Sequence, residues 1–210
     1  GYPISGRWFR DYTYNDNNGD GVLQVAEVHV DSGFTFIGYR VPRDLISIQN
    51  GIDLFQRKLH ISAMFDYKGG NNTQDGANNF QCTTNPFACR ETQDPTAPLD
   101  LQARAIAKFY GSVVGTAGTF KTGRGYFRSN QFWKFRELSA AYTIPDRALS
   151  VIRARSGSTI VFAARNLHTW SSWTGIDPEA NYGLTQTEGQ NEFQTFGAPT
   201  YYTFRLNLKY

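Results

Sequence analysis

The chain has 210 residues, 40% of them hydrophobic and 19% charged, and its formal net charge is only +3. That charge is too small to argue for a nucleic-acid partner or for binding to an anionic surface. No run approaches the roughly 18 consecutive apolar residues of a membrane-spanning helix. Aromatic residues make up 15% of the chain and glycines are frequent, a mix that suits strands joined by turns. Low mean hydropathy is compatible with a transmembrane β-barrel, because barrel strands alternate polar and apolar residues.

The chain opens Gly1-Tyr2-Pro3-Ile4, without an initiating Met or a signal peptide, and reads as a fragment or a processed product. Seven strand-like segments are expected, at residues 6–14, 44–54, 59–67, 126–133, 135–143, 159–167 and 200–210.

After the first of these, residues 16–27 match the calcium-loop pattern D-x-[DN]-x-[DN]-G-x5-E. Asp16, Asn18 and Asp20 supply side-chain oxygens at loop positions 1, 3 and 5. Gly21 permits the sharp turn, and Val22 offers its carbonyl. Gln24 serves directly or through water, and Glu27 closes the site with both oxygens. Hard oxygen donors at this spacing suit a structural Ca²⁺. The flanks look like strand rather than helix, so this is not an EF-hand, and an unfilled Asx/Gly turn is the alternative.

In the 44–54 segment, Ile46, Ile48, Ile52 and Leu54 share one parity. In 59–67, Leu59, Ile61, Ala63, Phe65 and Tyr67 alternate with polar residues. Cys82 and Cys89 flank a Pro-containing loop, and a small loop disulfide is expected, with two free thiols as the alternative. A helix is expected over residues 101–110, with Asp100 at its start and Gly111 at its end.

Leu138, Ala140 and Tyr142 share a face in 135–143. In the last strand Tyr202, Phe204, Leu206, Leu208 and Tyr210 face one way, and Thr203, Arg205, Asn207 and Lys209 the other. Trp170 and Trp173 read as an interfacial aromatic belt or loop packing, with a ligand-stacking platform as the alternative.

The connections alternate in length. Residues 15–43, 69–125 and 168–199 are long, whereas 55–58 and 144–158 are short. Outer-membrane barrels have long extracellular loops and short periplasmic turns, and loops this long are uncommon in compact soluble domains. Six or seven strands cannot close such a barrel, so further strands are expected before Gly1.

No catalytic signature is present. His29, His60 and His168 are scattered, and nucleophile-elbow, H-E-x-x-H and phosphate-loop motifs are absent. Asp177 and Glu179 read as an ordered turn rather than a glycosidase pair. Arg124, Arg128, Arg136, Arg153, Arg155 and Arg165 read as lumen or loop residues. The chain is therefore not expected to be an enzyme.

Four blocks in order resemble the C-terminal region of SusC/RagA-type TonB-dependent outer-membrane transporters. They are Asp16-Asn17-Asn18-Gly19-Asp20-Gly21 with Phe36-Ile37-Gly38 and Val41-Pro42; the hairpin from Asn50-Gly51-Ile52-Asp53-Leu54 to Tyr67-Lys68-Gly69-Gly70; Phe135-Arg136-Glu137-Leu138-Ser139-Ala140-Ala141-Tyr142-Thr143-Ile144-Pro145; and Ala164-Arg165-Asn166-Leu167 through Gly175-Ile176-Asp177-Pro178-Glu179 and Ala198-Pro199 to the final strand.

The resemblance implies an all-β antiparallel membrane wall, part of a 22-stranded barrel with a plug. It implies active import of oligosaccharides or peptides, energised through TonB–ExbB–ExbD, under a SusD-like lipoprotein lid. It supports the calcium loop, and it makes the terminal strand with Tyr210 a signal for the barrel-assembly machinery. The other readings are a surface-assembly protein with calcium-rigidified loops and a secreted calcium-dependent carbohydrate-binding module.

Overall fold

The computed structural model describes residues 3, 5–85, 89–113, 119–180, 191–193 and 195–210. In chain order the strands are β1 (Gly6–Phe9), β2 (Tyr12–Tyr14), β3 (Val28–Val30), β4 (Thr35–Tyr39), β5 (Asp44–Leu54), β6 (Leu59–Gly69), β7 (Asn72–Asp75), β8 (Ser112–Val113), β9 (Thr119–Phe120), β10 (Phe127–Ser129), β11 (Phe132–Thr143), β12 (Thr159–Ser171), β13 (Asn191–Glu192) and β14 (Tyr201–Asn207). The helices are α1 (Gly76–Thr84), α2 (Arg90–Gln93), α3 (Leu99–Phe109) and α4 (Asp146–Leu149). Among the described residues no helix is long and apolar enough to cross a membrane, which says nothing about strands.

The chain divides into two units. One comprises residues 44–69, 131–172 and 198–210, and the other residues 1–43, 70–130 and 173–197. The first is a single antiparallel sheet in the order β14-β12-β11-β6-β5. Its long strands are 11 to 13 residues, enough to cross a bilayer core when tilted. The connections at residues 55–58 and 144–158 lie at one end of this sheet. Every long excursion leaves from the other end, where Asp44 pairs with Gly69 and Phe132 with Ser171.

Two expected strands are each broken. Residues 6–14 split at Arg10-Asp11, because β1 pairs with β4 while β2 pairs with β3. The Asp11 carbonyl accepts the Asp31 amide at 2.9 Å at this change of partner. Residues 126–133 split at Asn130, which turns inward. Its amide donates to the Thr73 hydroxyl at 2.7 Å and to the Pro178 carbonyl at 2.6 Å. The large sheet therefore has five strands rather than six or seven. The terminal strand also stops at Asn207, so Leu208, Lys209 and Tyr210 lie past it.

The second unit is organised around α3. Ala103, Ile106 and Ala107 pack with Leu23, Val28 and Val30, and Tyr12, Leu99 and Phe120 close the rim. The opposite flank packs with Tyr126 and the Cys82–Cys89 disulfide. The helix starts two residues earlier than expected, with Pro98 rather than Asp100 at the N-cap. Proline fits there because the first helical amides have no partner inside the helix. Gly111 ends it at φ +72°, and a Cβ there would lie 2.2 Å from the Phe120 carbonyl oxygen, so only glycine fits.

Two polar side chains, Arg104 and Gln102, enter this interior. The Arg104 guanidinium donates to Glu91 from Nε at 2.9 Å and also from Nη2, and lies 4.7 Å from the Tyr126 ring centroid. Burial opposes its charge, but the Glu91 carboxylate outweighs that and holds the guanidinium pKa above its usual value. Burial pushes the Tyr126 phenol well above its ordinary range.

Gln102 is the second such side chain. Its carbonyl accepts the Leu23 amide at 2.8 Å, and its amide donates to the carbonyls of Gly21 at 3.0 Å and Ala97 at 2.8 Å. It thus staples the 16–27 loop to α3. Gln102→Ala leaves one buried amide and two carbonyls unpaired, at about 1–3 kcal/mol for each group that water cannot reach. Hydrogen exchange at Leu23 should then accelerate at least about tenfold, with exchange in β6 and β11 unchanged.

Candidate functional site

The five-stranded sheet is two-faced. Directly opposed residues share a face, and the register places Ile48, Phe65, Phe135 and His168 in one row. Ile52, Ile61, Ala140, Phe162 and Phe204 form another, and Leu59, Tyr142, Ile160 and Leu206 a third. The whole face is apolar except for Asp44, Asn50 and His168. It is also open: Tyr202 and Phe204 are 67% and 68% exposed, and Ile46, Ile48, Ile52, Phe162 and Leu206 are exposed too. Among the described residues no second sheet covers these side chains.

At the long-excursion end, the same face carries aromatic rings. Tyr67 and Trp133 lie 5.1 Å apart, and Phe65 stacks on Phe135 at 4.4 Å. Trp170 lies 6.5 Å from Phe65 and 4.5 Å from the His168 ring. Amphipathic rings in a row at one height are what a lipid headgroup boundary selects.

The opposite face is polar and internally bonded. Arg136 Nε donates to Asp66 at 2.7 Å, and the Ser47 hydroxyl donates to the other Asp66 oxygen at 2.8 Å. Arg165 Nε donates to Glu137 at 2.6 Å and Nη1 reaches the Tyr201 hydroxyl at 3.3 Å. His60 meets Asp53 at 2.7 Å, and Ser62 meets Ser139 at 2.8 Å. Such a face suits water, not hydrocarbon.

A bulge keeps the two faces in phase. Between Phe135 and Glu137 the register shifts, with Phe135 opposite Phe65 and Glu137 opposite Met64. Arg136 is the extra residue, so Arg136 and Glu137 both serve the polar face. Without it Leu138, Ala140 and Tyr142 would point to the wrong side.

The expected calcium ligands lie on one closed loop. Gly19 and Gly21 take φ of +69° and +80°, as the tight turn requires. Asp16 accepts the amides of Gly19 at 2.8 Å and Gly21 at 2.9 Å. Asn18 accepts from Asp20 N, and Asp20 accepts from Val22 N and from the Asn18 amide. Glu27 accepts from Asn17 N at 3.0 Å and Gln24 N at 2.8 Å, tying the twelfth position to the second and the ninth. Among the described residues, the His, Cys, Asp and Glu groups with ligand atoms within 4.8 Å of one another are Cys82, Cys89 and Glu91. The two cysteines there are joined in a disulfide. Asp16, Asp20 and Glu27 are gathered by backbone amides and stand further apart than that.

Trp170 and Trp173 fall in different units. Trp170 is half exposed on the apolar sheet face, whereas Trp173 is buried and its indole N–H donates to Glu192 at 3.2 Å. Tyr202, Phe204 and Leu206 hold the apolar face of β14, with Leu208 and Tyr210 beyond it. Arg136 and Arg165 line the polar face, Arg153 and Arg155 the 144–158 connection, and Arg124 and Arg128 the other unit. Asp177 accepts the Glu179 amide at 2.9 Å, which makes that segment an Asx turn. Gln102 was the residue missed. Its signal is a lone amide among small residues, in Leu101-Gln102-Ala103-Arg104-Ala105, on the side of a helix that packs inward.

No protein-family model matches the sequence, and no curated protein matches it. Solved structures do. The RagAB peptide transporter superposes with a TM-score of 0.63 and 16% identity, over 99% of this chain and 23% of that chain. The RagAB peptide importer in its "open-open" state gives 0.62 and 17%, over 97% and 22%. This chain thus spans less than a quarter of the transporter chains it matches. It has the fold of one stretch of a RagAB chain, which bears out, at the level of fold, the resemblance carried by its four sequence blocks.

Proposed function

We propose that this chain forms barrel wall and extracellular loops in an outer-membrane importer. The observation that carries this reading is the open apolar face, ringed by aromatics at one end and backed by a bonded polar face. A soluble module would bury such a face under another layer. The likeness to RagAB supports the same reading, and its description as a peptide importer favours peptides over oligosaccharides as cargo. On this reading a SusD-like lipoprotein caps the barrel, TonB–ExbB–ExbD supplies energy, and the barrel-assembly machinery inserts the strands.

The 16–27 loop is proposed as a structural calcium site. Its donor set fits: Asp16, Asn18, Asp20 and Glu27 offer hard oxygens, and those that accept amide protons keep a second lone pair. Bound calcium would hold the loop as a rigid contact surface.

The lipid-facing assignment is tested by a pair of substitutions in the full-length protein. Leu206→Arg places a charge in hydrocarbon at a cost of about 2–4 kcal/mol near the bilayer midplane. It should reduce assembled, heat-modifiable barrel in the outer membrane, whereas Asn207→Arg should leave it unchanged. Equal assembly of both variants would contradict the assigned faces. For the loop, calorimetric titration should show calcium binding in the range of about 10⁻⁴–10⁻³ M. Glu27→Gln should weaken it by about tenfold or more, and identical heats for the two proteins would remove the metal assignment.

A further inference from the structure

The short-connection end of the five-stranded sheet collects positive charge. Arg57 and Lys58 lie in the 55–58 turn, Arg147, Arg153 and Arg155 in the 144–158 connection, and Lys209 just past β14; all six are exposed. Backbone bonds tie these stretches into one belt. Thr143 N donates to the Lys58 carbonyl at 2.8 Å, Ile144 N to Ser158 at 2.9 Å, and Arg155 N to Lys209 at 2.7 Å. One carboxylate, Asp146, stands among them, and it accepts the Ser156 hydroxyl at 2.7 Å. Among the described residues none of the six cations is ion-paired. The overall charge of +3 hides this local excess of six cations over one carboxylate.

The belt is also amphipathic. Phe55 and Val151 lie in the same two connections as the cations and are 73% and 83% exposed. Along the strands it continues the apolar face. That face ends at Leu54, Leu59, Tyr142, Ile160 and Leu206, and the cations lie in the connections beyond those residues. Cations just outside an apolar band stand at the height of lipid headgroups, and apolar tips beside them reach the acyl boundary.

We propose that this belt binds the phosphodiester headgroups of anionic phospholipids in the leaflet that the short connections meet. The inference rests on the apolar face being lipid-exposed. Guanidinium groups pair with phosphate oxygens through two parallel N–H donors, and lysine adds a point charge. Each cation near an anionic surface multiplies the preference about fivefold. Charge complementarity and continuity with the lipid-facing wall select this occupant.

The test uses the full-length protein in phosphatidylcholine bilayers, with spin-labelled phosphatidylglycerol or spin-labelled phosphatidylcholine of equal chain length as probe. The motionally restricted signal gives the relative association constant of each lipid with the barrel surface. The wild-type protein should prefer phosphatidylglycerol by about fivefold or more, and about 0.5 M salt should shrink that preference. In the triple variant Arg153→Gln, Arg155→Gln, Lys209→Gln the preference should fall by about fivefold or more. Arg153→Lys with Arg155→Lys, which keeps the charge, should retain it.

Restriction of both probes without preference, or a preference unchanged in the triple variant, overturns the belt and leaves the lipid-facing wall standing. Absence of restriction for either probe overturns the wall itself. Loss of preference on adding soluble glycerophosphoglycerol at matched ionic strength makes the site one for free anions, which also overturns the proposal.

Discussion

Pairing of backbone N–H and C=O groups between neighbouring strands is the constraint on which the sheet depends. In hydrocarbon no water takes the place of a missing partner, and each unsatisfied group costs several kcal/mol. β6, β11 and β12 are paired on both sides along most of their length, whereas β5 and β14 are each paired on one side. Their outer edges call for strands beyond the five, which agrees with a likeness that covers under a quarter of a larger transporter chain. On the proposed reading, the apolar face is a second consequence of the same solvent. Once the backbone is satisfied, the side chains must suit lipid on one side and water on the other.

Keeping those two sides apart over 11 to 13 residues demands a strict phase, and the phase is corrected where the sequence breaks it. In β11 the residues of the apolar face are odd-numbered through Phe135 and even-numbered from Leu138. The bulge at Arg136 absorbs the slip and sends two adjacent charged residues to the polar face, where each finds an opposite charge. β12 adjusts at the same level through Asn166, at φ +53°. Its carbonyl accepts the Thr200 hydroxyl at 2.7 Å, and its amide donates to Pro199. Specific polar contacts thus set the register of a wall whose apolar contacts alone would tolerate sliding.

The strands of the wall were legible because period-two alternation is local. Residues 44–54 and the start at Leu59 were read to the residue, and the alternation of long and short connections carried the fold class. What failed was partner choice. Residues 6–14 have strand composition throughout, but nothing in them says that the chain changes partner at Asp11. Asn130 likewise sits inside an apolar run, and only its distant partners, Thr73 and Pro178, explain the break. The 16–27 loop was legible as a motif of spacing. Its attachment through Gln102 was not, because the two lie about eighty positions apart. The charge belt escaped notice for a related reason: net charge averages over the chain, while folding sorts it.

The second unit is assembled from three separate excursions of the chain. β7, from the middle excursion, lies between β10 of the same excursion and β13 of the last. The first joins the middle one through Leu23 and Gln102 and through the Thr122 hydroxyl on the Arg10 carbonyl at 2.6 Å. Loops on a barrel are usually pictured as independent ornaments, each free to drift in length and sequence. Here they share one interior, so they are bound to evolve as a set. A chimera that borrows one excursion from a relative inherits mismatched partners in the other two, whereas exchange of all three together preserves the fit.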